Sequence, residues 1–204
     1  MKLEAKNLNF AYSKNKVILN DFSLSIDSHE RLGITAPSGG GKTTLCRILA
    51  GYLKPQSGQI LLDGEPLANH NGYCPIQMIW QHPENSVNPR LRIKQTLQEG
   101  DHIDDRIIEG LGIEPAWFNR FPGELSGGEI QRFCIARALG QKTRFLIADE
   151  ITTMLDLITQ TQIWSFLLAE VEFRGIGLIA VTHSDPLMEL VSTRAVAVLR
   201  KPTT

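Results

Sequence analysis

An α/β fold is predicted by three features of this sequence. Leu32-Gly33-Ile34, a glycine-rich loop and Leu45-Cys46-Arg47-Ile48-Leu49-Ala50 read as strand, turn and helix. Phe145 to Ala148 and Ile176 to Val181 are short apolar runs suited to buried strands, separated by a helix-length amphipathic stretch from Leu157 to Phe173. The chain has 204 residues, 42% of them hydrophobic, enough for one such domain with its own core.

The N-terminal part has strand character. Leu3 to Tyr12 alternates, but with mixed faces: Leu3, Ala5 and Asn7 fall on one side, Glu4, Lys6, Leu8 and Phe10 on the other. Ser13-Lys14-Asn15-Lys16 reads as a polar turn. Val17-Ile18-Leu19 starts a second strand, in which Phe22, Leu24 and Ile26 alternate with Ser23 and Ser25. The expectation is an antiparallel meander ahead of the loop. On the residues alone, Tyr12 is either a packing strand-end aromatic or a ligand contact.

The loop itself is Ala36-Pro37-Ser38-Gly39-Gly40-Gly41-Lys42-Thr43-Thr44. Glycines let a backbone curl tightly around an anion because no Cβ blocks the approach. The loop N–H groups and the helix start then face phosphate oxygens. Lys42 would reach the β- and γ-phosphates of a nucleotide, and the Thr43 hydroxyl would ligate Mg²⁺. The usual pattern has Gly where Ala36 stands. A negative φ there accommodates Ala, whereas a positive φ would store about 1 kcal/mol or more of strain.

Beyond the helix, Gly51 is suited to a left-handed cap and Pro55 prevents continuation. Gln59 to Leu62 reads as a strand and Asp63-Gly64 as a hairpin tip. Ile76 to Trp80 is a further buried strand, ending at Gln81. Pro83 to Gly140 reads as a helical insertion, with Ile93, Leu97, Ile103, Ile107, Ile108 and Leu111 at helical spacing over Leu91 to Leu111. Pro122-Gly123 breaks it before a second helix from Gly127 to Leu139. Ser126 and Glu129 form a capping box for that helix, and Gly127 and Gly128 leave its first N–H groups bare, a second anion site.

Phe145 to Ala148 leads into Asp149-Glu150. Beside a phosphate loop, Asp149 is placed to hold Mg²⁺ and Glu150 to orient the attacking water. The strand from Ile176 ends at Thr182-His183. A single His after a strand is commonly a cap, but ligands collect at the carboxyl ends of strands in a doubly wound sheet. Ser184-Asp185-Pro186 starts another helix, and Ala195 to Leu199 is the last strand.

Composition narrows the function. A net charge of -1 argues against a nucleic-acid partner. Cys46, Cys74 and Cys134 have no metal-ligand spacing and read as small core residues in a reducing compartment. No stretch approaches the ~18 apolar residues that cross a bilayer, and the alternating N-terminus is no signal peptide.

Taken in order, these motifs resemble the nucleotide-binding subunits of ABC transporters. The Gly41-Lys42-Thr43 loop is similar to their Walker A, Leu125-Ser126-Gly127-Gly128-Glu129 to their signature motif, and Phe145 to Glu150 to their Walker B. Gln81 matches the Q-loop glutamine, His183 the switch histidine, Asp156 the D-loop aspartate and Tyr12 the aromatic that stacks on adenine. The resemblance implies a P-loop NTPase (RecA-like) core with a parallel sheet, an N-terminal antiparallel β-subdomain and an inserted helical subdomain. That gives a single ABC ATPase domain over 1–204, with a core at 1–82 and 141–204 and the helical part at about 83–140.

It also implies a mechanism that one chain cannot run. Two such domains sandwich two ATP molecules, each held by one chain's Tyr12, Ser38, Gly39, Gly40, Gly41, Lys42, Thr43, Thr44 and Gln81 and by the other's Ser126, Gly127, Gly128 and Asp156. Glu150 would be the general base, with His183 and Lys42 acting on the γ-phosphate. Thr43, Gln81 and Asp149 would hold Mg²⁺.

Gln77 to Pro83, Ser86-Val87-Asn88-Pro89-Arg90 and Arg120-Phe121-Pro122 are similar to the import branch for dipeptides, oligopeptides and nickel. The implied partners are a second ATPase subunit (identical or, as is typical of that branch, a different chain), two permease subunits and an extracytoplasmic substrate-binding protein. The implied location is peripheral, on the cytoplasmic face of the membrane. The chain departs from the pattern at Ala36, at Ile151 where a proline usually stands, and in stopping at Thr204, from which no C-terminal regulatory domain is expected. The competing expectation is a soluble ABC ATPase of DNA repair or translation, whose coiled-coil insertions and zinc-binding cysteines do not occur here.

Overall fold

The computed structural model describes residues 1–13 and 16–198. Two sheets organise the chain. The antiparallel sheet has the order β2-β1-β4-β5, with β1 at Lys2–Ala11, β2 at Val17–Asp27, β4 at Ser57–Leu62 and β5 at Glu65–Pro66. The parallel sheet has the order β6-β7-β8-β3-β9, with β3 at Arg31–Thr35, β6 at Ile76–Ile79, β7 at Phe145–Asp149, β8 at Gly177–Val181 and β9 at Arg194–Ala197. Helices α1 (Lys42–Leu49), α5 (Leu157–Arg174) and α6 (Asp185–Val191) belong to the strand-to-strand connections of this sheet.

The expected meander is only part of the antiparallel sheet. β4 comes after α1 yet pairs with β1, Leu3 opposite Leu62 and Ala5 opposite Ile60, a contact no local pattern announces. The hairpin at Asp63-Gly64 forms with both residues at positive φ, 49° and 85°, the two-residue turn this dipeptide favours. The mixed faces of β1 also have a cause. Asn7 sits at φ 50° in a bulge, its N–H donating to Ser23 Oγ at 2.9 Å. The bulge resets the alternation, so Leu3 and Ala5 before it and Leu8 and Phe10 after it are all buried.

Between β6 and β7 the chain is helical: α2 (Lys94–Gln98), α3 (Asp105–Gly110), α4 (Gly127–Ala138) and short 3₁₀ turns. The helical spacing over Leu91 to Leu111 is carried by two short helices rather than one. Between them Gly100 passes the α4 backbone so closely that a Cβ there would lie 2.9 Å from the Arg137 carbonyl, and Asp104 is extended. α4 begins with the expected capping box: Glu129 N–H donates to Ser126 Oγ at 3.3 Å, and Ser126 N–H to Glu129 Oε2 at 2.6 Å. The last strand covers Arg194–Ala197; Leu199 lies outside the described residues, as do Lys14 and Asn15 of the polar turn.

The parallel sheet separates two apolar cores. Phe145, Ile147, Ile179 and Val181 face the antiparallel sheet and α1; Leu146, Ala148, Leu178 and Ala180 face α4 and α5. Strands buried on both faces are why these runs are continuously apolar. Cys46 and Cys134 are buried in these cores, and burial pushes both thiols up, so they act as packing groups.

Candidate active site

Four neighbouring parallel strands deliver the predicted residues to one edge. In the order β6, β7, β8, β3, their carboxyl ends carry Gln81, Asp149 with Glu150, His183 and the glycine loop. Parallel pairing puts all four exits on the same side of the sheet, so residues 102 positions apart in sequence become neighbours there. A cleft of about 360 Å³ opens at this edge, lined by Tyr12, Ser38, Gly39 to Thr44, Gln81, Glu150 and His183, together with Lys16 and Ile18.

The loop is built by its glycines. Gly39 and Gly41 have φ of 68° and 97°, and Gly41 is the N-cap of α1. A Cβ on Gly41 would lie 2.4 Å from Ile18 Cγ2, and one on Gly40 would lie 2.7 Å from both the Pro37 carbonyl oxygen and the Ala36 methyl. Ala36 itself is absent from the residues at positive φ, so its methyl carries no backbone strain; the bare Gly40 leaves it room. Gly41→Ala is therefore expected to destabilise the chain by roughly 2 kcal/mol, from left-handed strain plus overpacking. Thermal unfolding followed by circular dichroism checks this, and an unchanged Tm contradicts it.

Lys42 is 6% exposed, and its Nζ donates to the Ala36 carbonyl at 3.0 Å. The Thr43 side chain lies close enough to the Asp149 carboxylate to lower its pKa, and the buried Asp149 Oδ1 has no hydrogen-bond partner among the described residues. Burial first, and then the Glu150 charge, push the Asp149 carboxyl up, against the Thr43 side chain and the Arg47 and Lys42 charges. A buried carboxylate oxygen left unpaired beside a threonine hydroxyl is what a hard divalent cation would satisfy, so this pair fits Mg²⁺.

Glu150 stands at φ 52°, held there by its N–H donating to the Val181 carbonyl at 3.0 Å. Its carboxylate is engaged on both oxygens: Gln81 Nε2 donates to Oε2 at 3.1 Å, and His183 Nε2 lies 2.8 Å from Oε1. Three residues predicted separately thus form one contact group. Tyr12, at the end of β1, keeps its ring 53% exposed while its hydroxyl lies 3.2 Å from Thr44 Oγ1.

Ser126, Gly127, Gly128 and Asp156 are not among the cleft-lining residues of their own chain. Ser126 and Gly127 are exposed at the start of α4. Asp156 caps α5, its Oδ1 accepting from the N–H groups of Ile158 and Thr159 at 3.0 and 2.9 Å. The two segments touch, since a Cβ on Gly128 would lie 3.2 Å from Leu155 Cδ2. They form one surface away from the cleft.

Sequence reasoning did not single out Lys16, Ile18 or Arg47. In the sequence Lys16 belongs to a polar turn, and its proximity to Tyr12 follows only from hairpin closure. Arg47 stands one helical turn after Thr43, a signal that could have placed it near Asp149. Its guanidinium also lies 5.0 Å from the Trp80 ring, in a larger cavity of about 990 Å³ that is lined by Asp149 and shares Tyr12, Thr43 and Gln81 with the cleft.

Comparison with known proteins places this geometry. Residues 19–153 match the family model described as ABC transporter. The nickel import system ATP-binding protein NikE of Staphylococcus aureus is 31% identical over 207 residues, covering 95% of this chain and 85% of that protein. The probable peptide ABC transporter ATP-binding protein y4tS of Sinorhizobium fredii is 33% identical over 194 residues, covering 86% of this chain; the chain spans 55% of its length. Among solved structures, cbiO1 from Clostridium perfringens, part of the ABC transporter complex cbiONQ, has a TM-score of 0.76 at 26% identity, covering 96% of this chain and 83% of that one. The dimeric, ADP- and Pi-bound ATP-binding cassette MJ0796 shares the fold, with a TM-score of 0.81 at 24% identity and coverage of 96% and 93%.

Proposed function

The chain belongs to the ABC transporter family of ATP-binding cassettes, and from that premise we propose that it binds and hydrolyses ATP to drive an importer of peptides, nickel or a related metal chelate. The carrying observation is a division of labour. Lys42, Thr43, Gln81, Glu150 and His183 line one cleft, with Asp149 next to Glu150 at the end of β7, whereas Ser126, Gly127, Gly128 and Asp156 do not line it, and Ser126, Gly127 and Asp156 are exposed. A site missing half its parts in one chain is completed by another. The solute class rests on the names of NikE and y4tS.

In this reading the loop N–H groups, the start of α1 and Lys42 grip the triphosphate. Thr43, Gln81 and Asp149 would hold Mg²⁺, which supplies neutralisation of the phosphate charge when bound. Glu150 takes the proton of the attacking water: with one contact on each oxygen, its carboxylate keeps lone pairs free for that water, while Gln81 and His183 orient it. The partner chain's Ser126 and its two glycines cover the γ-phosphate, and Asp156 acts across the same interface.

No helix among the described residues is long and apolar enough to cross a membrane. In the proposed assembly, two permease subunits and an extracytoplasmic binding protein accompany this chain, which is peripheral on the cytoplasmic face. A second ATPase subunit, identical or different, supplies the other half of each site. Purified alone at low concentration, the chain is expected to hydrolyse ATP weakly. Its specific activity is expected to rise with its own concentration if the partner is a copy, or on addition of a different partner ATPase. Full activity independent of concentration and partner would sink the two-chain site.

A further inference from the structure

The cleft has a residue that none of the motifs accounts for. Lys16 lines it beside Tyr12, where Tyr12 N–H donates to the Lys16 carbonyl at 3.2 Å and Lys16 N–H to the Ser13 carbonyl at 3.0 Å. This backbone pairing holds the lysine against the tyrosine, with its ammonium 5.6 Å from the ring centroid. Tyr12 in turn is tied through its hydroxyl to Thr44, which fixes this end of the cleft just past the loop lysine. Glu150, His183 and Gln81 form a separate contact group on the cleft lining. Of the described residues lining the cleft, Lys16 and Lys42 are the two lysines.

We propose that Lys16 is a second nucleotide-binding cation, which meets the α-phosphate end of the bound nucleotide while Lys42 serves the β- and γ-phosphates. The proposal rests on the nucleotide reading above. A base stacking on the exposed Tyr12 ring needs that ring face, so the ammonium leaves it as the base arrives. The side chain is exposed and long enough to swing, and the nearest developing negative charge is the phosphate between the base and the loop. A cation–π contact is thereby exchanged for a charge-assisted one.

Equilibrium titration of ATP and ADP against wild type, Lys16→Ala and Lys16→Arg tests this. Lys16→Ala is expected to weaken both nucleotides equally, by about three- to five-fold, the range of a solvent-exposed charge pair. Lys16→Arg should stay within about two-fold of wild type, and the Lys16→Ala deficit should narrow in about 1 M salt, where screening acts within about 3 Å. Unchanged affinity in Lys16→Ala, a loss for ATP alone, or Lys16→Arg as weak as Lys16→Ala each overturns the proposal. Failure of the underlying reading looks different: the wild-type chain then binds neither nucleotide.

Discussion

Glu150→Gln is expected to slow steady-state ATP turnover by at least about 10²-fold while leaving ATP affinity within a few-fold of wild type, as loss of a general base should. The size follows from the chemistry: an amide cannot take the proton of the attacking water. The selectivity follows from the geometry. Gln is isosteric, and its amide oxygen can still accept from Gln81 Nε2, as Oε2 does now at 3.1 Å. The φ of 52° is already borne by a residue with a Cβ, so the backbone demands nothing new. Lys42 and the glycine loop, which grip phosphate in this reading, do not touch the substituted group. Phosphate release measured alongside equilibrium ATP titration separates the two effects. Near-normal turnover would remove Glu150 from the role of base, and a collapse of affinity would show that it acts in binding instead.

Why the site could be read so far from the sequence, and no further, has a physical answer. The loop, the capped start of α4 and the two carboxylates at the end of β7 are local patterns: each needs its residues only at short spacing, set by one turn, one cap or one strand end. Their meeting is also foreseeable, because a parallel sheet gathers strand exits on one edge. What escaped is long-range or conformational. The burial phase of β1 is reset by Asn7 at φ 50°, which no polar-apolar count detects. Between α2 and α3, Gly100 approaches the Arg137 backbone, a contact with another helix. The strain question at Ala36 turned on a single torsion. The engagement of both Glu150 oxygens by Gln81 and His183 depends on side chains from three strand ends, and Lys16 reaches Tyr12 only through hairpin closure.

Lys42→Ala is expected to weaken ATP binding by roughly 10²-fold, the loss of a buried charge-assisted contact to phosphate. The lysine is 6% exposed, and its ammonium rests on the carbonyl of Ala36 in its own loop. That carbonyl is a neutral acceptor and a poor substitute for the solvation the cation gave up on burial. A triphosphate in the cleft offers it negative charge instead, so the ammonium gains far more from the nucleotide than it surrenders on leaving Ala36. Removing it costs the nucleotide-free chain little, because alanine is a good helix former at the first position of α1 and the Ala36 carbonyl loses one donor at the edge of an open cleft. The variant should therefore melt within about 1 kcal/mol of wild type without nucleotide, yet lose the rise in Tm that saturating ATP gives, since ligand stabilisation scales with the logarithm of occupancy. Equal ATP affinity in Lys42→Ala and wild type by equilibrium titration would mean that the glycine loop does not present its lysine to a phosphate, and the cleft would have to be assigned to another ligand.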